Sequence, residues 1–201
     1  MPKITTLEAL HAHYEAPVPS SLKKVAQRLT PLYRRWIEGA RFAVLSTAGP
    51  EGVHGSPRGD DGPVVRVVDE TTLMIPDWWG NNRLDCLRDI VQDGRAALLF
   101  LIPGTNTTVR VNGRAFLTDD EDLRRSFAKG DRLPATVIVL EVAEVYTQCA
   151  KALMRSRLWT SGDLSQGLPS TGEILADMSD GEHGGKDYDR NYPEYAKPRL
   201  W

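Results

Sequence analysis

Apolar residues change their spacing several times along the chain, and each change marks an element. From Ser21 the positions Leu22, Val25, Leu29, Leu32 and Trp36 alternate between three and four residues apart, which predicts an amphipathic helix or helix pair. Thr30-Pro31 inside that run has the form of an N-cap followed by proline at the first helical position, so the helix is expected to break and restart there, with Gly39 ending it. Residues 7–14 carry a shorter helical pattern. Arg41 to Thr47 then reads as a strand, and after the turn-rich Ala48-Gly49-Pro50-Glu51-Gly52 the chain can return as a second strand from Val53 to Arg58. Val64 to Val68 and Thr72 to Pro76 suit a hairpin around Asp69-Glu70-Thr71.

Asn81 to Asp93 places Leu84, Leu87, Ile90 and Val91 on one helical face, with Asn81 or Asn82 available as a cap and Gly94 as a stop. The continuous apolar run Arg95 to Ile102 suits a strand covered on both faces and is expected at the centre of the sheet. Thr107 to Leu117 alternates Val109 and Val111 with Arg110 and Asn112, and Gly113 offers a bulge. A short charged helix over Asp119 to Lys129 and a β-branched strand over Ala135 to Tyr146 follow. The pattern therefore predicts a mainly β protein with peripheral helices, in which six or so short, largely antiparallel strands close into a barrel that leaves few exposed edges. Beyond Gln148 a basic segment, Lys151 to Trp159, precedes a Gly/Ser/Asp-rich tail too polar to add much core. Leu200 and Trp201 are expected to dock on the body or on a partner subunit.

Composition narrows the function classes more than it identifies one. The 201 residues are enough for one compact domain, and 41% hydrophobic with 26% charged residues is ordinary for a globular protein. A net charge of -2 gives no global reason to expect nucleic acid or an anionic membrane as partner. No stretch has the apolar length of a signal peptide core or a membrane span, so a cytoplasmic protein is expected. Cys86 and Cys149 stand far apart and form no CxxC pair, which argues against a redox dithiol or structural zinc. The chain lacks HExxH, GxSxG, Walker and GxGxxG signatures, and His11 and His13 would point apart on a helix, so no metal site is expected.

Three polar clusters beside apolar strands carry the candidate chemistry. They are Ser56-Pro57-Arg58-Gly59-Asp60-Asp61 at a strand end, Asp77-Trp78-Trp79-Gly80-Asn81-Asn82-Arg83 between a strand and a helix, and Lys151 through Trp159. In the second, amides, an arginine and a helix N-terminus converge where an anionic phosphate is favoured. The plainer reading makes Arg58 and Arg83 solvated charges and the tryptophans packing residues.

The runs FAVLSTAGPEGVHGSPRGD and LMIPDWWGNNRLDCLRDIVQDGRAALLFLIPGTNTTVRVNGRA, with the later KALMRSRLW, resemble the pyridoxamine 5′-phosphate oxidase-like FMN-binding proteins. The likeness is narrower to a bacterial subgroup carrying SPRGD, GNNRLD, LLFLIPG, RVNGRA and KAxxRSxLW, and it extends from Leu22 to Trp159, more weakly to the end. It implies a six-stranded antiparallel split β-barrel over residues 41–159, a helical segment 1–40 packed on it, and a partly irregular tail 160–201 docking on the barrel or a partner subunit. It further implies a homodimer with FMN at its interface and an oxidoreductase acting on a small molecule. Carried onto this chain, the resemblance sets Ser56, Pro57, Arg58 and Gly59 beside the flavin ring and ribityl chain, with Arg58 reaching toward the phosphate. Asp77 and Asn81 belong to the same site, and Asn82 and Arg83 stand where the oxidases bind phosphate. Thr108 replaces a glutamine near the ring, and Lys151, Arg155 and Trp159 would come from the second subunit. The tail KDYDRNYPEYAKPRLW does not reproduce the arginine-bearing segment that holds the oxidases' phosphorylated substrate, so vitamin B6 oxidation is not implied; Gln148 stands where a histidine is expected, so no acid–base role is expected there. A non-catalytic flavin sensor or carrier, or a binder of deazaflavin or haem on the same fold, is the alternative.

Overall fold

A computed structural model describes residues 1–201. Two short helices, α1 (Leu7–His11) and α2 (Pro19–Lys23), lead to α3 (Pro31–Glu38). The break predicted at Thr30 is present: its hydroxyl accepts from the Tyr33 amide, Pro31 opens the helix and Gly39 closes it. Then come β1 (Phe42–Gly49), β2 (Gly52–Gly59), β3 (Arg66–Val67) and β4 (Thr72–Asp77), followed by α4 (Asp85–Gln92). The second half holds β5 (Arg95–Leu101), β6 (Thr108–Thr118), α5 (Glu121–Arg125), β7 (Thr136–Gln148) and α6 (Lys151–Ser156). Two further helices, α7 (Thr171–Met178) and α8 (Gly185–Ala196), end in a 3₁₀ turn over Lys197–Arg199. No helix is long and apolar enough to cross a membrane.

The strands form one antiparallel sheet in the order β2-β1-β5-β6-β7-β4-β3. Seven strands stand where six were expected, the shortest being the two-residue β3. Strand alternation sends Leu45, Leu98, Phe100, Val109, Val111, Ile138 and Leu140 inward, where all are fully buried. Burial of such side chains is worth roughly 1.5–3 kcal/mol each. β5 lies well inside the sheet, but only Ala96, Leu98 and Phe100 are buried; Ala97, Leu99 and Leu101 keep partial exposure. The expectation that this strand is covered on both faces is thus corrected, since one face of the sheet carries the core and the other is only partly covered. The bulge predicted at Gly113 is present as a register shift between Asn112 and Gly113 in the β6–β7 ladder.

Two local readings change. Neither Asn81 nor Asn82 caps α4, which begins at Asp85 after Leu84, itself in the left-handed region at φ 60° with no side-chain cap. Asn81 instead spends its side-chain oxygen on the Arg83 amide at 3.1 Å, and Asn82 is also left-handed at φ 59°, so the chain turns once more before the helix can start. The tail contains α7 and α8, whose signal is the Ser170…Glu173 capping box. No residue of α8 is buried, consistent with a segment that adds little core.

Candidate cofactor site

β2 stands at one end of the sheet order and β4 near the other, so the sheet does not close on itself through these strands. Pro57, which lacks an N–H for a ladder, is suited to such an edge. A cavity of about 840 Å³ occupies the gap, walled by residues 53–60 around β2, by Ile75 to Trp78 at the end of β4, and by residues 80–87 leading into α4. Its size lies in the range of small-molecule and cofactor sites.

Eight of the predicted residues line this one cavity: Ser56, Pro57, Arg58, Gly59, Asp77, Asn81, Asn82 and Arg83. Alternation along β2 puts His54, Ser56 and Arg58 on a shared face, each half-buried. The Arg58 guanidinium donates to Ser56 Oγ at 2.5 Å and to the Pro57 carbonyl at 3.0 Å, and pairs with Asp77 at 3.2 Å, with both charged side chains more than four-fifths buried. Burial pushes the Asp77 carboxyl above its ordinary value, and the neighbouring Arg58 cation only partly opposes this. Arg83 is largely exposed and holds Asp85 at 2.6 Å, a contact easily exchanged for another anion.

Arg58 Nε and the Trp78 indole N–H are buried and make no hydrogen bond, and Thr136 Oγ1, opposite Asp77 in the β4–β7 pair, is in the same condition. Buried donors are seldom left unpaired, and two of these belong to residues of the cavity wall. The first-turn amides of α4 likewise lack a side-chain cap. The arrangement offers cationic and neutral donors to an anion, and apolar wall from Val64, Ile75 and Leu87 to a flat body.

The remaining four predicted residues lie elsewhere in the chain's own fold. Thr108 is buried at the start of β6 opposite Gln148, Lys151 and Arg155 lie on α6, and Trp159 Nε1 donates to the Thr105 carbonyl at 2.8 Å. None of them lines the cavity. The tail does reach it: Tyr192 and Leu200 form part of the wall. Trp201 packs edge-on against Trp78 at 5.7 Å, lies under the Lys129 ammonium at 4.6 Å, and accepts from Arg132 through its carbonyl at 2.7 Å.

Sequence reasoning missed a further group, of which His54 lines the cavity. Asp89, buried on α4, accepts from Thr47 Oγ1 at 2.6 Å and from His54 Nδ1 at 2.8 Å. The Thr47 hydroxyl, then His54, hold the Asp89 carboxyl below its ordinary value. The Asp89 hydrogen bond, aided by charge from Asp89, Asp85 and Glu51, raises the His54 imidazole. The available signal was His54 standing in phase with Ser56 and Arg58 on β2.

The family model for pyridoxamine 5′-phosphate oxidase matches residues 29–149, more than half of the chain. The chain belongs to the pyridoxamine 5′-phosphate oxidase family. Among solved structures, HupZ of Group A Streptococcus superposes with a TM-score of 0.50 at 16% identity, covering 59% of this chain and 98% of that one, and shares the fold. General Stress Protein 26 from Bacillus anthracis gives 0.43 at 17% identity over 57% of this chain and 88% of its own. The FAD binding protein from Mycobacterium smegmatis gives 0.42 at 12% identity over 61% and 97%. No curated protein matches the sequence. The family match covers β1 to β7 and the whole β2–β4–α4 wall, while Tyr192, Leu200 and Trp201 lie outside it.

Proposed function

We propose that this member of the pyridoxamine 5′-phosphate oxidase family binds FMN in the cavity between β2, β4 and α4, and acts as an oxidoreductase on a small molecule. The observation that carries the reading is the convergence of Arg58, Asn82, Arg83 and the uncapped start of α4 on one cavity, with the Arg58 Nε and Trp78 indole donors left unpaired. A phosphate dianion asks for such donors, and a flat ring asks for apolar wall with a few hydrogen bonds. Arg58, Asn82 and Arg83 would hold the phosphate, with Ser56, Pro57 and Gly59 along the body of the cofactor. Asp77 pairs with Arg58 in the wall. FMN would supply hydride or electron transfer, and the protein would orient it and set its potential.

The same reading makes the protein a homodimer in which Lys151, Arg155 and Trp159 of a second copy reach the site. Strongly exposed Val53 beside the cavity, and Met154 and Leu158 on the segment carrying Lys151 and Arg155, leave apolar surface for such a contact. Cys86 and Cys149 are unpaired, which suits a cytoplasmic location.

The test is the absorbance spectrum of the purified protein, with and without added FMN, and mass identification of whatever heat releases. Flavin bands with FMN release are expected; a colourless protein that also refuses FMN overturns the reading. Arg83→Ala should weaken FMN binding by roughly 1.5–3 kcal/mol, about 10- to 150-fold in Kd, with the thermal midpoint unchanged. Titration by flavin fluorescence checks this, and an unaltered Kd removes Arg83 from the site.

A further inference from the structure

Asp89 is a carboxylate kept almost wholly out of water, 3% exposed, yet it pairs with neither an arginine nor a lysine. Its partners are the Thr47 hydroxyl and the His54 ring. β1 makes room for it: a Cβ at Gly49 would collide with the Asp89 carboxylate, and it would lie 3.3 Å from the Asp89 Cα. The carboxylate, held below its ordinary pKa, has no proton to give, so the hydrogen of the His54–Asp89 bond sits on Nδ1. Nε2 makes no hydrogen bond, while His54 lines the cavity and its side chain stays 31% exposed. A histidine fixed through one nitrogen by a buried carboxylate has a defined ring orientation and one nitrogen free to exchange a proton.

We infer that His54 is the proton-exchange group of the cavity, with Asp89 and Thr47 as positioning residues that hold its ring through Nδ1 and leave Nε2 to the bound ligand. In the transfer the Nε2–H bond breaks as an O–H or N–H bond forms on the ligand, the electron pair stays on Nε2, and water returns the proton at the exposed edge. The charged groups around the ring are Asp89 and Asp85 from α4, Glu51 from the β1–β2 turn, Arg95 from β5 across the neighbouring groove, and Arg58 further along β2. The acidic side dominates near His54 and favours the imidazolium, the form that carries a proton on Nε2, against the opposing effect of burial. Ligand chemistry follows: the partner should carry a nitrogen or oxygen that gains a proton, as a flavin ring or a reducible carbonyl or quinone does.

The inference rests on the flavin reading, and the test separates the two. The His54 ring is followed by NMR titration in the whole protein, assigned by its loss in His54→Gln, with and without saturating FMN. Proton uptake on FMN binding is measured by calorimetry in two buffers of different ionisation heat. We expect the His54 pKa to move by at least about half a unit on binding, and a fractional proton uptake that is lost in His54→Gln at FMN concentrations that saturate the variant. Asp89→Asn should lower the His54 pKa in the free protein. FMN bound with the His54 pKa and uptake unmoved overturns the proton-exchange role alone. FMN not bound at all overturns the flavin reading and this role with it.

Discussion

Gly113→Ala should destabilise the protein by more than about 4 kcal/mol, roughly 8–16 °C in thermal midpoint, or prevent it from accumulating folded. The cause is space. β6 runs between β5 and β7, and at the bulge its register steps from Asn112 opposite Glu144 to Gly113 opposite Val142. A Cβ at Gly113 would overlap the Glu141 carbonyl oxygen and stand 3.0 Å from the carbonyl carbon and 3.3 Å from the Ala143 nitrogen. All three are backbone atoms of a ladder that also buries Val142 and Val145, so no side-chain rotation relieves the overlap. β7 would have to move away from β6 at the centre of the sheet. Gly62→Ala is the control: a Cβ there meets nothing within 4 Å, and its cost should stay within about 0.5 kcal/mol. Thermal melts of the two variants beside the parent decide the matter, and equal small shifts would show that the bulge opens freely.

Gly113 also shows what could be read from sequence and what could not. A lone glycine in an alternating β pattern marks a bulge because the pattern itself is local, and the same holds for Thr30-Pro31, whose cap and proline act within one turn. The second strand expected from Val53 to Arg58 is present as β2 and carries Ser56 and Arg58. The start of α4 was misplaced because two residues, Asn82 and Leu84, take left-handed backbone that no propensity predicts for leucine. Half-coverage of β5 was not legible, since an unbroken apolar run reads alike whether one face or both are packed. The motifs brought eight site residues to one cavity, but Asp77's partnership with Arg58 and the Thr47–His54–Asp89 group join residues from different strands and a helix. Contacts of that kind depend on tertiary placement, and Asp89 in particular reads in sequence as one more polar position of an amphipathic helix.

Asp89→Ala should lower the thermal midpoint by roughly 6–20 °C, because it strips the shared partner from Thr47 and His54 and leaves a hollow between α4, β1 and β2. Its dependence on pH identifies the cause. Asp89 lies below its ordinary value of 3.8 in the folded protein, so its contribution is present above that pH and is lost as pH falls through the lower folded value. His54 lies above its ordinary 6.5, so its contribution is complete below 6.5 and is lost as pH rises through the higher folded value. The two conditions overlap between 3.8 and 6.5, where the gap in midpoint between parent and Asp89→Ala should be widest. At about pH 9 the gap should narrow without closing, since neutral His54 still donates through Nδ1 and the Thr47 hydroxyl does not titrate. A gap of constant size from about pH 5 to pH 9 would mean that His54 carries no charge against Asp89 in that range. The pair would then be a neutral clamp between helix and sheet, with no poised proton for the cavity.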